Sequence, residues 1–335
     1  MTAKIAIIGL GQIGASIGQA LALHKDQVNT IGYDTSSVVA RAAQQMGAVD
    51  QLGHTLSATI KDADVIVLAL PFDQIHETLR SIEKDARDGA VVMDTAPGKQ
   101  AVATWAKELI YSKCHYVGLT PAINALALEE TSVGIDAARA DLFQKGLVAV
   151  TAPYGSDEGA IQLATSFVSL LGARAYFADM AEVDGIMARV HSLPALAAAA
   201  LAETVISQPG WGDIRKLAGR PFVTGMRPLD EQDPAALAKT AHMNRANVVR
   251  VLEDYITALK SLRDEIEADK KGSLEARLGR ILNARDQWRR IRADGDWQAI
   301  ESAGPEMPSF GELWKRQFGG LGKLFGRRGK PTEDD

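Results

Sequence analysis

An apolar run beginning at Lys4 leads without a break into Gly9-Leu-Gly11-Gln-Ile-Gly14, and a helix-like stretch follows at once. This is G-x-G-x-x-G in the setting that gives the motif meaning: strand before it, helix after it. Some twenty residues on, a second apolar run ends in Gly32-Tyr33-Asp34. That spacing predicts a βαβ unit built to hold a dinucleotide. Gly9 allows the tight turn, Gly11 lets backbone approach a pyrophosphate, and Gly14 lets helix and strand pack closely. Gln12 and Ile13 lie between them and complete the loop. The free N–H groups and positive dipole end of the helix then face the phosphates. Asp34 accepts hydrogen bonds from the adenosine ribose hydroxyls and repels a 2′-phosphate, which favours NAD over NADP. The competing reading is a glycine turn in an α/β domain that binds no nucleotide.

The pattern continues through the first half of the chain. Short Val- or Ile-rich runs at 4–9, 28–34, 65–70, 90–95, 116–120 and 147–152 read as strands, and a further strand is expected at 174–178. Helical stretches at 36–46, 72–84, 98–111 and 157–171 separate several of them. Such alternation predicts a doubly wound, mostly parallel sheet of the Rossmann kind. Ligands of such sheets bind beyond the carboxyl ends of the strands. Leu70-Pro71, Asp94-Thr95 and Thr120-Pro121 belong on that rim, and Leu70, Pro71 and Thr95 join the cofactor set. After residue 178 the pattern turns helical. A long helix is expected over 182–207, bent near Pro194, and another over 234–270 with apolar residues at 3.6 spacing.

At 335 residues the chain has room for more than one domain. The divisions expected are a nucleotide-binding domain over 1–178, an all-α domain for substrate and dimerisation over 179–269, and a basic extension over 270–335, partly helical or disordered. A net charge of −5 gives no reason to expect nucleic acid as partner. The charge is uneven, with 14 Lys and Arg against 7 Asp and Glu over 270–330. Cys114 is the single cysteine, which excludes an intrachain disulfide and reads as a small buried side chain. No Cys/His cluster has metal-ligand spacing. The chain enters its first strand with no room for a signal peptide, and the apolar stretch 193–206 contains Glu203 and is too short to span a bilayer. The cytoplasm is the expected setting.

Several further motifs join the glycine loop: Gly47-Ala-Val-Asp50, Asp62-Ala-Asp-Val-Ile-Val-Leu-Ala-Leu-Pro71, Asp94-Thr-Ala-Pro-Gly-Lys99 and Val117-Gly-Leu-Thr-Pro121. In the helical half come Ala181-Glu-Val-Asp184, His191-Ser-Leu-Pro194 and Asn244-Arg245, which opens the last long helix. Together, over residues 4–265, they resemble the prephenate/arogenate dehydrogenase family of tyrosine biosynthesis. The resemblance implies hydride transfer from the ring carbon that bears the hydroxyl to a nicotinamide, followed by loss of CO₂. It implies a base at the hydroxyl proton and cationic groups for the substrate carboxylates. It also implies a homodimer formed by the helical domain.

The chain departs from the family pattern where the chemistry lies. The usual His-Pro is Thr120-Pro121, and a hydroxyl is too weakly acidic to replace imidazole. Pro97 stands where the family has serine. The family's His-Asp is Val183-Asp184, and its Ser-His-Leu-Pro is His191-Ser192-Leu193-Pro194, a shift that turns a helical side chain by about 100°. His191 is then the best available base, set against a helix histidine that only packs. Thr120 and Lys99 are its companions at the rim, Lys99 as an anion contact or a solvated lysine. Arg215, Arg220, Asn244 and Arg245 are the candidates for the substrate carboxylates.

Two alternatives stay open. The changed residues suit a dehydrogenase for a different 2-hydroxy-acid or imine, or a nucleotide-binding protein without turnover. The segment 310–328 interleaves Leu313, Trp314, Phe318 and Phe325 with basic residues. It suits a peripheral membrane or protein contact, set against a plain basic tail.

Overall fold

The structure is a computed structural model that describes residues 2–295 apart from Glu231 and Lys270. An eight-stranded sheet organises its first half among the described residues: β1 (Ala3–Ile8), β2 (Val28–Tyr33), β3 (Gln51–Leu52), β4 (Val65–Leu68), β5 (Val91–Asp94), β6 (His115–Ala122), β7 (Leu147–Thr151) and β8 (Arg174–Phe177). Their spatial order is β3-β2-β1-β4-β5-β6-β7-β8. The first six strands run parallel, β7 is antiparallel to β6, and β8 is parallel to β7. This is the doubly wound arrangement expected, with the strand order reversing between β1 and β4. The two-residue β3 was not foreseen, being too short to leave an apolar period.

Helices cover both faces of the sheet: α1 (Gln12–Leu21), α2 (Ser37–Gln45), α3 (Leu56–Ile60), α4 (Phe72–Asp85), α5 (Lys99–Leu109) and α6 (Glu158–Leu170). One apolar cluster packs α1, α2 and α6 on one face, around Ile5, Ile7, Val65, Val67 and Phe167. The other packs α4 and α5 around Ile8, Ile66, Leu68, Val92 and Tyr116. Central strands β4 and β5 are buried along their whole length, which explains their continuous apolar sequence.

From Met180 onward the chain is helical: α7 (Met180–Met187), α8 (Leu193–Ile206), α9 (Trp211–Leu217), α10 (Arg220–Met226), α11 (Pro234–Met243), α12 (Arg245–Glu267) and α13 (Lys271–Asp294). The bend expected near Pro194 is a π turn, Ala188–Ser192, between α7 and α8. Pro194 lacks the N–H for the Val190 carbonyl and its ring crowds it, so the turn widens there. The stretch 193–206 belongs to a longer helical span, Met180–Ile206, which by length and composition alone could cross a membrane. Within this fold it is anchored to α5 and α12, with Ala188, Ala195 and Ala198 buried.

The helix expected over 234–270 is two helices, broken at Asn244. There the Asn244 amide donates to the Asp184 carbonyl at 2.7 Å and accepts from Asn247 at 2.8 Å. The break is tertiary in origin: the side chain bonds across to α7. On the other side of this junction, the Lys239 ammonium on α11 donates to the Asp73 carbonyl at 3.1 Å and lies 5.4 Å from the Trp105 ring centre.

Candidate active site at the switch point

The glycine loop sits where the sequence places it, at the carboxyl end of β1 beside β4. Gly9 has φ +88°, and a Cβ there would lie 2.3 Å from the Ala69 carbonyl oxygen. A Cβ at Gly14 would lie 1.8 Å from the Gly9 oxygen, so α1 can approach the loop only through glycine. Gly11 is different: a Cβ there meets nothing within 4 Å, because it faces open space. That space is a cleft of about 340 Å³ lined by Gly9, Gly11, Asp34, Leu70 and Pro71. Gly11 also begins α1 with no side-chain cap, which leaves the first-turn N–H groups to an outside anion.

Asp34 is fixed at the cleft. Its Oδ2 accepts the Leu10 N–H at 2.9 Å and its Oδ1 the Ser36 N–H at 2.8 Å. Each oxygen keeps a further lone pair for a ribose hydroxyl. The residues present therefore fit a dinucleotide. Tyr33, Thr35, Leu56, Gln74 and Thr78 also line the cleft. Sequence reasoning missed these, because α3 and α4 bring the last three in through the tertiary fold. Gln12, Ile13, Gly14 and Thr95 stand beside the cleft rather than in its lining. Gln12 Nε2 donates to the Ala137 carbonyl at 3.4 Å, Ile13 packs on the core, and the Thr95 hydroxyl donates to the Leu68 carbonyl at 3.4 Å.

Beyond the cleft, β6 outruns β5. The β5–β6 register ends at Asp94 and Gly118, and from there to Ala122 strand β6 pairs with β7. Thr120 and Pro121 thus lie beyond the carboxyl end of β5, paired on their other side with Ala149 and Val148 of β7. The Thr120 hydroxyl oxygen is buried and has no hydrogen-bond partner among the described residues. A buried hydroxyl without a partner is costly, and a bound ligand would relieve it.

Beneath this rim lies a closed network. Lys99 is 0% exposed, and its Nζ donates to Asp94 Oδ1 at 2.8 Å and to the Asp94 carbonyl at 3.2 Å. Tyr116 donates its hydroxyl to Asp94 Oδ2 at 2.6 Å. Gly118 leaves room for the lysine stem, since a Cβ there would lie 2.8 Å from Lys99 Cδ. Burial lowers the Lys99 pKa, and Asp94 and then Asp184 oppose that shift. Tyr116 is held well above its ordinary value by burial and by the Asp94 charge. Lys99 thus meets Asp94 and not an open anion site.

The helical half contributes Asp184 and His191. Asp184, on α7, accepts the backbone N–H groups of Lys99 at 2.6 Å and Gln100 at 3.2 Å. His191 is half-buried on the π turn, where burial lowers the imidazole pKa below 6.5. Ser192 beside it is fully buried. Asn244, expected at the substrate, is engaged with Asp184 and Asn247. Arg215, Arg220 and Arg245 are exposed and make no ion pair among the described residues. Cys114 is buried with its pKa pushed up to about 11, as a small core residue should be. The segment 310–328 lies outside the described residues.

A Rossmann-type nucleotide cleft followed by a helical domain defines an NAD(P)-binding dehydrogenase. Residues 17–177 match the family described as prephenate dehydrogenase, nucleotide-binding domain, and residues 179–280 match prephenate dehydrogenase, dimerization domain. The chain belongs to the prephenate dehydrogenase family. The prephenate dehydrogenase of Bacillus subtilis is 26% identical over 276 residues, 80% of this chain and 71% of its own length. The Aquifex aeolicus prephenate dehydrogenase, solved with hydroxyphenyl propionate and NAD+, superposes with a TM-score of 0.73 at 20% identity, covering 86% of this chain and 98% of that one. The Synechocystis arogenate dehydrogenase gives 0.65 at 25% identity, covering 85% and 99%.

Proposed function

We propose that this chain oxidises and decarboxylates a prephenate- or arogenate-like cyclohexadienol, with NAD preferred over NADP. The observation that carries the reading is the Gly11 cleft with the Asp34 carboxylate fixed in it. In a member of this family, that cleft suits a ribose with free hydroxyls and disfavours a 2′-phosphate. Bound there, the nicotinamide supplies the hydride acceptor.

The chain's own residues then have separable tasks. His191, kept neutral by burial, accepts the hydroxyl proton at an imidazole nitrogen as the carbon loses hydride. Thr120 offers its unpartnered hydroxyl to the same ring oxygen. The substrate carboxylate leaves as CO₂, its bonding electrons aromatise the ring, and the ring oxygen takes back the proton. Arg245, Arg215 and Arg220, unpaired among the described residues, are the candidates for the remaining carboxylate. The Asp94–Lys99 network holds the rim and touches no substrate.

The exposed apolar residues of α12, Val249, Ile256, Leu259 and Ile266, suit a subunit seam. Light scattering should give a dimer, and a strict monomer would remove that part of the reading. The main test is NADH formation with prephenate and with arogenate. Turnover with either, reduced about 10²-fold or more by His191→Gln, is the expected result. NAD binding without turnover on both would overturn it and favour another hydroxy-acid or imine.

A further inference from the structure

Helix α13 continues past residue 280, where the match to the dimerization domain ends. Its start is tied to α12, with Arg277 Nη1 at 3.1 Å from Glu265 Oε1 and 2.9 Å from the Ser261 hydroxyl. Its far end turns back onto the nucleotide-binding domain. There the half-buried Arg292 donates from Nη2 to the Ile123 carbonyl. Arg289 pairs with Glu129 at 2.8 Å. Past the helix, Gly295 has φ +64°, and a Cβ on it would lie 3.3 Å from the Lys145 oxygen.

What Arg292 holds is the direct continuation of β6. Ile123 follows Thr120 by three residues, and the strand ends between them at Ala122. Farther along, the same backbone reaches the nucleotide helix, where the Arg139 N–H donates to the Ser16 hydroxyl at 3.0 Å. One stretch of chain thus connects the Thr120 rim, helix α1 and the end of α13. The two arginines differ in weight. The Arg289–Glu129 pair is 56% and 72% exposed, and such pairs contribute little. Arg292 makes a charge-assisted bond to a main-chain oxygen in a half-buried setting, which fixes backbone directly.

We propose that α13 is a strap that sets the substrate-side loop after β6, with Arg292 a positioning residue for the dehydrogenase reaction. Its kinetic part rests on the functional reading above; its structural part does not. Small displacements of groups around a reacting centre cost rate steeply, about 10²-fold for 1 Å, so a carbonyl fixed this close to Thr120 matters for turnover.

The test uses full-length Arg292→Ala, Arg292→Lys and Arg289→Ala. In Arg292→Ala, amide hydrogen exchange over 123–130 should quicken while that of α5 stays as in wild type. The kcat/KM for the cyclohexadienol should fall about tenfold, with NAD affinity within about twofold of wild type. Arg292→Lys should recover most of both effects, and Arg289→Ala should resemble wild type. Unchanged exchange over 123–130 in Arg292→Ala overturns the strap. So does an equal effect of Arg289→Ala, or a loss of NAD affinity as large as the loss of kcat/KM. Should Arg292→Ala fail to fold, Arg292→Gln is read in the same way, since it keeps a donor but loses reach and charge. A wild-type chain that turns over neither compound would remove the functional reading, and exchange alone would then decide the strap.

Discussion

The Asp184 carboxylate caps the helix that begins at Lys99, accepting the Lys99 N–H at 2.6 Å across the boundary between the two halves of the chain. Helix α5 has no cap of its own, because Gly98 precedes it and carries no side chain. Its positive end would otherwise be buried with unsatisfied donors. Replacing Asp184 with Ala should cost about 1–2 kcal/mol, the usual worth of an N-cap, and Asn should cost less because one acceptor survives. Urea midpoints of the two variants check this. An Ala variant as stable as wild type would mean that α5 is capped in some other way.

Lys99 and Asp94 form a fully buried pair, and breaking it on one side should be worse than removing it whole. Lys99→Met leaves the Asp94 charge with the Tyr116 hydroxyl and the Ala96 N–H, a loss of about 3–5 kcal/mol. The double change Lys99→Met with Asp94→Asn should recover part of that loss. Denaturant unfolding of the three proteins gives the coupling. If the double variant is less stable than Lys99→Met alone, Asp94 is held by something other than the lysine.

Much of this was legible in the sequence, for identifiable reasons. The strand, glycine loop, helix and Asp34 unit depends on contacts between neighbours in sequence, so its pattern survives in one dimension. Strands β4 and β5 announce themselves because both faces are covered. By contrast, the break at Asn244 is set by a hydrogen bond to Asp184, sixty residues away, on a stretch whose apolar period runs straight through. Lys99 reads in sequence as an anion contact or a solvated lysine. Its burial depends on Tyr116, Asp94 and the gap at Gly118 arriving from three separate segments. The grip of Arg292 on Ile123 spans 169 residues and follows no local pattern.

Asp34 is the residue on which cofactor preference should turn. Asp34→Asn keeps one acceptor oxygen, enough for the Leu10 or the Ser36 N–H but not both, and removes the charge that repels a 2′-phosphate. The ratio of kcat/KM with NAD to that with NADP should drop at least about tenfold, which is about 1.4 kcal/mol. A wild-type ratio near one, or a ratio unmoved by the change, would show that discrimination lies elsewhere in the cleft.

His191 offers a prediction whose sign follows from its surroundings. Burial on the π turn disfavours the imidazolium, so the folded pKa lies below the 6.5 of an unconstrained histidine. Between those two values the unfolded chain binds a proton at this site that the folded chain does not. Stability should therefore rise with pH across that window. The contribution is fully present above about 6.5 and is lost as pH falls through the folded value. His191→Gln should flatten this segment of the stability curve while other acid transitions remain. The same ionisation should set the acid limb of kcat/KM, since a base must be neutral to accept the hydroxyl proton. Wild type should hold its rate below pH 6.5, and His191→Gln should lose both the limb and most of the rate. Stability and rate measured across the same pH range would then trace one group. A rate limb that survives the substitution would assign the base to another residue, even if the stability segment flattens as expected.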